Sequence, residues 1–113
     1  MLSDRKHWGQ PSMAHSSRSA AFLVESRIAD AAAGDVRALF DLGVAYSTGL
    51  GGTPIDLVEA HKWFNLAALN GSEEAQMCRA DIADEMTARE IAEAQRQARA
   101  WLADIAPARR RVA

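Results

Sequence analysis

Residues 38–71 read ALFDLGVAYSTGLGGTPIDLVEAHKWFNLAALNG, and this stretch decides the fold. Ala38, Leu39, Leu42, Gly43 and Tyr46 recur at three- and four-residue steps, the spacing of one face of a helix. Leu57, Ala60, Trp63, Phe64, Ala67 and Ala68 repeat the pattern further on. Between them TGLGGTPI, residues 48–55, carries three glycines and a proline, which stops the first helix. The result is two amphipathic helices joined by a glycine-rich loop, neither able to bury its apolar face alone. Glycine at 43 costs about 1 kcal/mol of helix propensity relative to alanine, so its place on the apolar stripe predicts a close approach by a neighbouring helix.

The pattern extends in both directions. Upstream, Ala21, Val24, Ile28 and Ala31/Ala32 predict a helix that stops at Gly34, with Asp35 capping the next one. Asp56 followed by Glu59 resembles a capping box for the helix that ends at Gly71. Ser72 then caps a helix with Glu73 and Glu74 in its first turn and Ala75, Cys78 and Ile82 facing inward. Thr87 and Glu90 form a second capping box, T-A-R-E, flanked by Met86 and Ile91 as a hydrophobic staple. The last helix places Ile91, Ala94, Ala98, Trp101, Leu102 and Ile105 on one side, and Pro107 is read as its end.

Sliding the sequence by 37 residues superposes Gly34 on Gly71, Asp35 on Ser72 and Ala38 on Ala75. A period in the mid-thirties with two helices per unit is the signature of a helical solenoid. The fold class is therefore all-α: a short solenoid of about five antiparallel helices, near 19–33, 35–47, 56–70, 72–86 and 88–105, the last acting as a C-terminal cap. The 1–18 segment, with Gly9, Pro11, four serines and scattered charge, reads as a disordered arm whose one large apolar residue is Trp8; residues 107–113 read as a basic disordered tail.

The residues A38-x-x-x-L42-G43-x-x-Y46-x-x-G49-x-G51 and D56-x-x-E59-A60-x-K62-W63-F64-x-x-A67-A68-x-x-G71-x-x-x-A75 resemble the Sel1-like repeat, a relative of the tetratricopeptide repeat. The match covers one complete unit. Residues 20–34 resemble only the second helix of a preceding unit and 72–86 only the first helix of a following one. Gly52 stands where the family usually has valine, and one extra residue precedes Asp56. The resemblance implies helix pairs stacked in a superhelix and a non-enzymatic role in protein–protein interaction, as an adaptor, scaffold or regulatory subunit, often in bacterial signalling or envelope processes. On such a stack the first-helix positions outside the core would line a groove for a partner protein or peptide: Phe40 and Val44, with Met77 and Asp81 37 residues later. Phe40, a large apolar side chain on a face the stripe does not use, is the leading candidate contact.

Composition narrows the alternatives. Twenty-four alanines against seven aromatic residues favour helices packed closely through small side chains. Charged residues make up 25 % and the formal net charge is −2, with an acidic body between basic ends, so no general pull toward nucleic acid is expected from the short Arg109–Arg111 run. A single cysteine, Cys78, forbids an intrachain disulfide, and the absence of an apolar leader or of about 20 consecutive apolar residues argues for a cytoplasmic chain with no membrane span.

The chemistry-bearing motifs fail on spacing. The Gly49–Gly52 loop would need glycine at Pro54 for a dinucleotide fingerprint and a lysine for a P-loop, and it follows a helix instead of a strand. His61 has no Cys or second His at metal-ligand spacing, Cys78 lies on the apolar stripe without a base, and Asp81, Asp84, Glu85, Glu90 and Glu93 straddle a helix junction without a calcium-loop glycine. No catalytic residue, metal or cofactor is predicted. Ile91, Ala98 and Ile105 at seven-residue spacing offer a possible dimer seam, against packing on the 73–86 helix, so a monomer or a weak homodimer is expected.

Overall fold

A computed structural model describes the backbone of residues 21–112 and the side chains of residues 21–106. The N-terminal arm with Trp8 lies outside the described residues. The described chain is a run of helices: α1 over residues 21–32, α2 Val36–Thr48, a 3-10 turn Leu50–Gly52, α3 Leu57–Leu69, α4 Glu73–Ala83 and α5 Ala88–Val112. Among the described residues there is no strand.

The 37-residue repeat is visible in the backbone hydrogen bonds themselves. At the end of α1 the Asp35 N–H donates to Asp30 O at 3.1 Å, and at the end of α3 the Ser72 N–H donates to Ala67 O at 3.0 Å. Both are bonds across a glycine in the left-handed region, Gly34 at φ 100° and Gly71 at φ 99°, where a Cβ would be strained. Each junction then caps the next helix in the same way. Asp35 Oδ1 accepts from Arg37 N and Ala38 N, and Ser72 Oγ accepts from Ala75 N at 3.1 Å.

The third predicted cap is only half of a capping box. Asp56 accepts from the Glu59 N–H at 3.1 Å, but Glu59 does not return the bond. The Asp56 N–H already donates to Tyr46 O at 2.9 Å, tying the loop back to α2, and the Glu59 carboxylate instead receives Lys62 Nζ at 2.9 Å and Trp63 Nε1 at 3.1 Å. The fourth cap is complete: Thr87 N–H donates to Glu90 Oε1 at 2.8 Å, and Glu90 N–H to Thr87 Oγ1 at 3.1 Å.

Helix α3 is the centre of the stack. It packs against α2, α4 and α5, and accordingly buries residues on several sides: Ala60, His61, Trp63, Phe64, Leu66 and Ala67. Small residues set the spacing. Gly43 of α2 lies beneath the Phe64 ring so closely that a Cβ there would fall 2.8 Å from Phe64 Cγ, which accounts for a glycine inside a helix. Ala94 and Ala98 of α5 are likewise buried, and Trp101 stands edge-on to Trp63 with centroids 4.9 Å apart.

Two expectations from the sequence are corrected here. Helix α5 does not stop at Pro107 but continues to Val112, through the segment read as a disordered tail. A proline inside a helix removes one N–H bond, and the alanines and arginines around it are strong helix formers that carry the backbone past it. The cap also docks elsewhere than expected: α5 packs on α3 and makes little contact with α4.

Candidate protein-binding surface

The predicted partner residues do not form one groove. Phe40 is 8 % exposed, its ring 5.6 Å from that of Phe64 and covered by the Arg37 guanidinium, 5.2 Å above its centroid. The expectation of an outward Phe40 is therefore corrected. Helix α2 meets α4 as well as α3, so its buried arc is wider than the stripe of one neighbour and takes in Phe40. Phe40 forms the floor of a cleft whose walls include Val36, Arg37, Gly71 and Glu74. Val44, half-buried, opens instead onto a different cleft. Met77 is 70 % exposed on α4 and Asp81 is exposed beside it, and neither borders these clefts.

The cleft reached by Val44 lies between α1, α2 and the glycine loop. It encloses about 270 Å³ between Leu23, Val24, Leu42, Val44 and Leu50, with Arg27 and Asp41 at its rim. Those two are paired, Arg27 Nε to Asp41 Oδ2 at 3.5 Å, which links α1 to α2. Two of its lining residues are large apolar side chains left in solvent, Leu23 at 50 % exposed and Leu50 at 65 %; Phe22, next to Leu23 in sequence, and Ile55, which lies against Gly49, are exposed as well. Sequence reasoning missed this surface because its members come from three segments and share no period. The available signal was Leu50 and Ile55, apolar residues inside a loop that otherwise consists of glycine, threonine and proline.

The loop that presents Leu50 is firmly anchored. Gly49 closes α2 at φ 76°, its N–H donating to Ala45 O. Thr48 Oγ1 donates to Val44 O at 2.8 Å and accepts from Leu50 N–H at 3.2 Å. Thr53 is buried behind it.

Among the described residues Cys78 is not set up as a nucleophile. Burial, then Glu74 and Asp81, push the Cys78 thiol up, away from the thiolate. The acidic residues at the α4–α5 junction have separate tasks. Glu90 caps α5, and Glu93 is held down to about 2 by hydrogen bonds from Arg96 and then Gln97. Among the described residues no three His, Cys, Asp or Glu side chains come together as metal ligands. No described helix is long and apolar enough to cross a membrane.

With the helix pair, its glycine joint and its two matching caps in place, the family model of the Sel1 repeat matches residues 36–72. The segment is a Sel1-like repeat. The Sel1 repeat runs from the first residue of α2 to the cap of α4, so it contains the α2–α3 pair, the glycine loop between them and the Gly71–Ser72 junction. The positions quoted from the sequence, Ala38, Leu42, Gly43, Tyr46, Gly49, Gly51, Ala60, Trp63, Phe64, Ala67, Ala68 and Gly71, all lie in it, and Ala75 follows in α4, fully buried. No curated protein and no solved structure matches the chain. Sel1 repeats are generally protein–protein interaction modules.

Proposed function

We propose that the chain is a non-enzymatic module that binds a partner protein, as an adaptor, scaffold or regulatory subunit, through the apolar surface shared by α1, α2 and the glycine loop. The observation that carries this reading is that Leu23 and Leu50, both well exposed, line a mainly apolar cleft of about 270 Å³. A cleft of that size suits one or two large apolar side chains of a partner helix or extended peptide, with the Arg27–Asp41 pair at the rim to meet its polar edge. Of the four contacts named from the sequence, Val44 belongs to this surface. Met77 and Asp81 would serve a second contact on α4, one apolar and one charged. A single cysteine and no membrane-spanning helix among the described residues agree with a cytoplasmic role.

The test compares variants of exposed residues, which leave the core alone. Leu23→Asp and Leu50→Asp should abolish co-purification of the partner that the wild type retains, with unchanged helical circular dichroism and melting temperature. Met77→Asp should retain it. If Leu23→Asp and Leu50→Asp hold the same partner as strongly as the wild type, the surface is wrongly placed; loss of binding in Met77→Asp alone would move the interface to α4.

A further inference from the structure

His61 sits in the middle of α3 at 3 % exposed, and its Nδ1 has no hydrogen-bond partner. The charged side chain that acts on the ring is Arg79 of α4. Among the described residues α2 and α5, the other helices packed on α3, bring no charge that acts on it. Arg79 is itself fixed on α3, one turn further along, donating to Asn65 Oδ1 at 2.6 Å. A proton on His61 would therefore place a buried cation beside a seam that already holds the partly buried Arg79 guanidinium, with no carboxylate among the groups that act on the ring.

We propose that His61 makes the α3–α4 seam an acid-labile joint, whose protonation loosens α4 from α3 while α2 stays docked. The asymmetry follows from how each helix is held. Helix α2 buries Ala38, Leu39, Phe40, Leu42 and Gly43, whereas α4 has 11 residues and buries only Ala75 completely. Of these two helices, the one carrying the opposing cation is thus the more weakly held. Burial first, and Arg79 second, keep the imidazole below its ordinary value of 6.5 in the packed state. The opened state takes up a proton near 6.5, so the seam is intact above that pH. It weakens as pH falls, about tenfold in opening for each unit between 6.5 and the lowered native value.

Hydrogen exchange of the full chain at pH 7.5 and pH 5.5, corrected for intrinsic amide rates, reads this directly. The amides of Glu73–Ala83 should open up to about tenfold more at pH 5.5, while those of Leu39–Tyr46 hold. His61→Gln, which cannot charge, should remove the difference. Equal opening of α2 and α4, or the same pH dependence in His61→Gln, overturns the proposal. Should that variant not fold, an NMR titration of the wild-type ring decides: titration clearly below 6.5 supports the joint, and titration at or above 6.5 rejects it.

Discussion

Helices α2 and α4 start alike and end in different company. Both follow a left-handed glycine, both are capped by a side chain of the residue after it, and both bury an alanine at the fourth position, Ala38 and Ala75. Beyond that alanine they diverge. Where α2 has Leu39, Leu42, Gly43 and Tyr46, α4 has, 37 residues on, Gln76, Arg79, Ala80 and Ala83. The first set makes an apolar seat on which α3 lies, with Phe64 over Gly43. The second offers none, and α5 passes α4 by to pack on α3 through Ala94, Ala98 and Trp101. Caps, in other words, decide where a helix of the repeat begins, and the residues of its second turn decide whether it receives a partner.

The largest effect is expected at Trp63, a core residue of the complete pair that also packs edge-on against Trp101 of the cap. Trp63→Ala removes a buried side chain that Trp101 also packs against, and it should cost about 3–5 kcal/mol. In a domain of this size that is a large part of total stability. Urea unfolding followed by circular dichroism measures it, and a loss below about 1 kcal/mol would mean that α3 is not the central helix.

Next come the equivalent positions Gly43 and Ala80. Alanine is the better helix former by about 1 kcal/mol, yet Gly43→Ala should destabilise by about 1–3 kcal/mol because its Cβ displaces the Phe64 ring. Ala80 is exposed, so Ala80→Gly should cost about 1 kcal/mol through propensity alone. A stabilised Gly43→Ala protein would show that the Phe64 ring moves aside freely.

The same contrast explains what the sequence disclosed. Helix order, the caps at Asp35, Ser72 and Thr87, and the tight contact at Gly43 depend on neighbours within a few residues or on one helical face, and all were legible. Phe40, His61 and Leu66 were not, because a single amphipathic stripe counts one neighbour whereas α2 packs on α3 and α4 and also meets α1, and α3 packs on α2, α4 and α5. A hint was available: from Ala60 to Leu69 the only charged residue is Lys62, too few for a helix with a solvent face. The apolar surface around Leu50 was hidden for another reason, since it is assembled from three segments. The continuation of α5 past Pro107 shows local propensity outweighing one lost hydrogen bond.

Matched caps should be matched in energy. Asp35→Ala and Ser72→Ala each remove the side-chain acceptor of a helix start and should each cost about 1 kcal/mol in chemical denaturation. A cost confined to Asp35→Ala would mean that α4 contributes little to the cooperative unit, in line with its weak hold on α3.

The smallest effect separates the two capping boxes that look alike in sequence. Glu90 closes its box by accepting the Thr87 N–H, so Glu90→Ala leaves that amide without a partner and should speed its hydrogen exchange while costing under about 1 kcal/mol. Glu59 occupies the same place relative to Asp56, but the Asp56 amide is held by Tyr46 O. Glu59→Ala should leave exchange at Asp56 unchanged and act instead on the Trp63 indole, whose Nε1 loses its acceptor. The reason is topological: the glycine loop must return to α2, and the backbone bond that brings it back takes the donor a complete box would need. Faster exchange at Asp56 in Glu59→Ala would show that the loop is held by the carboxylate and not by Tyr46.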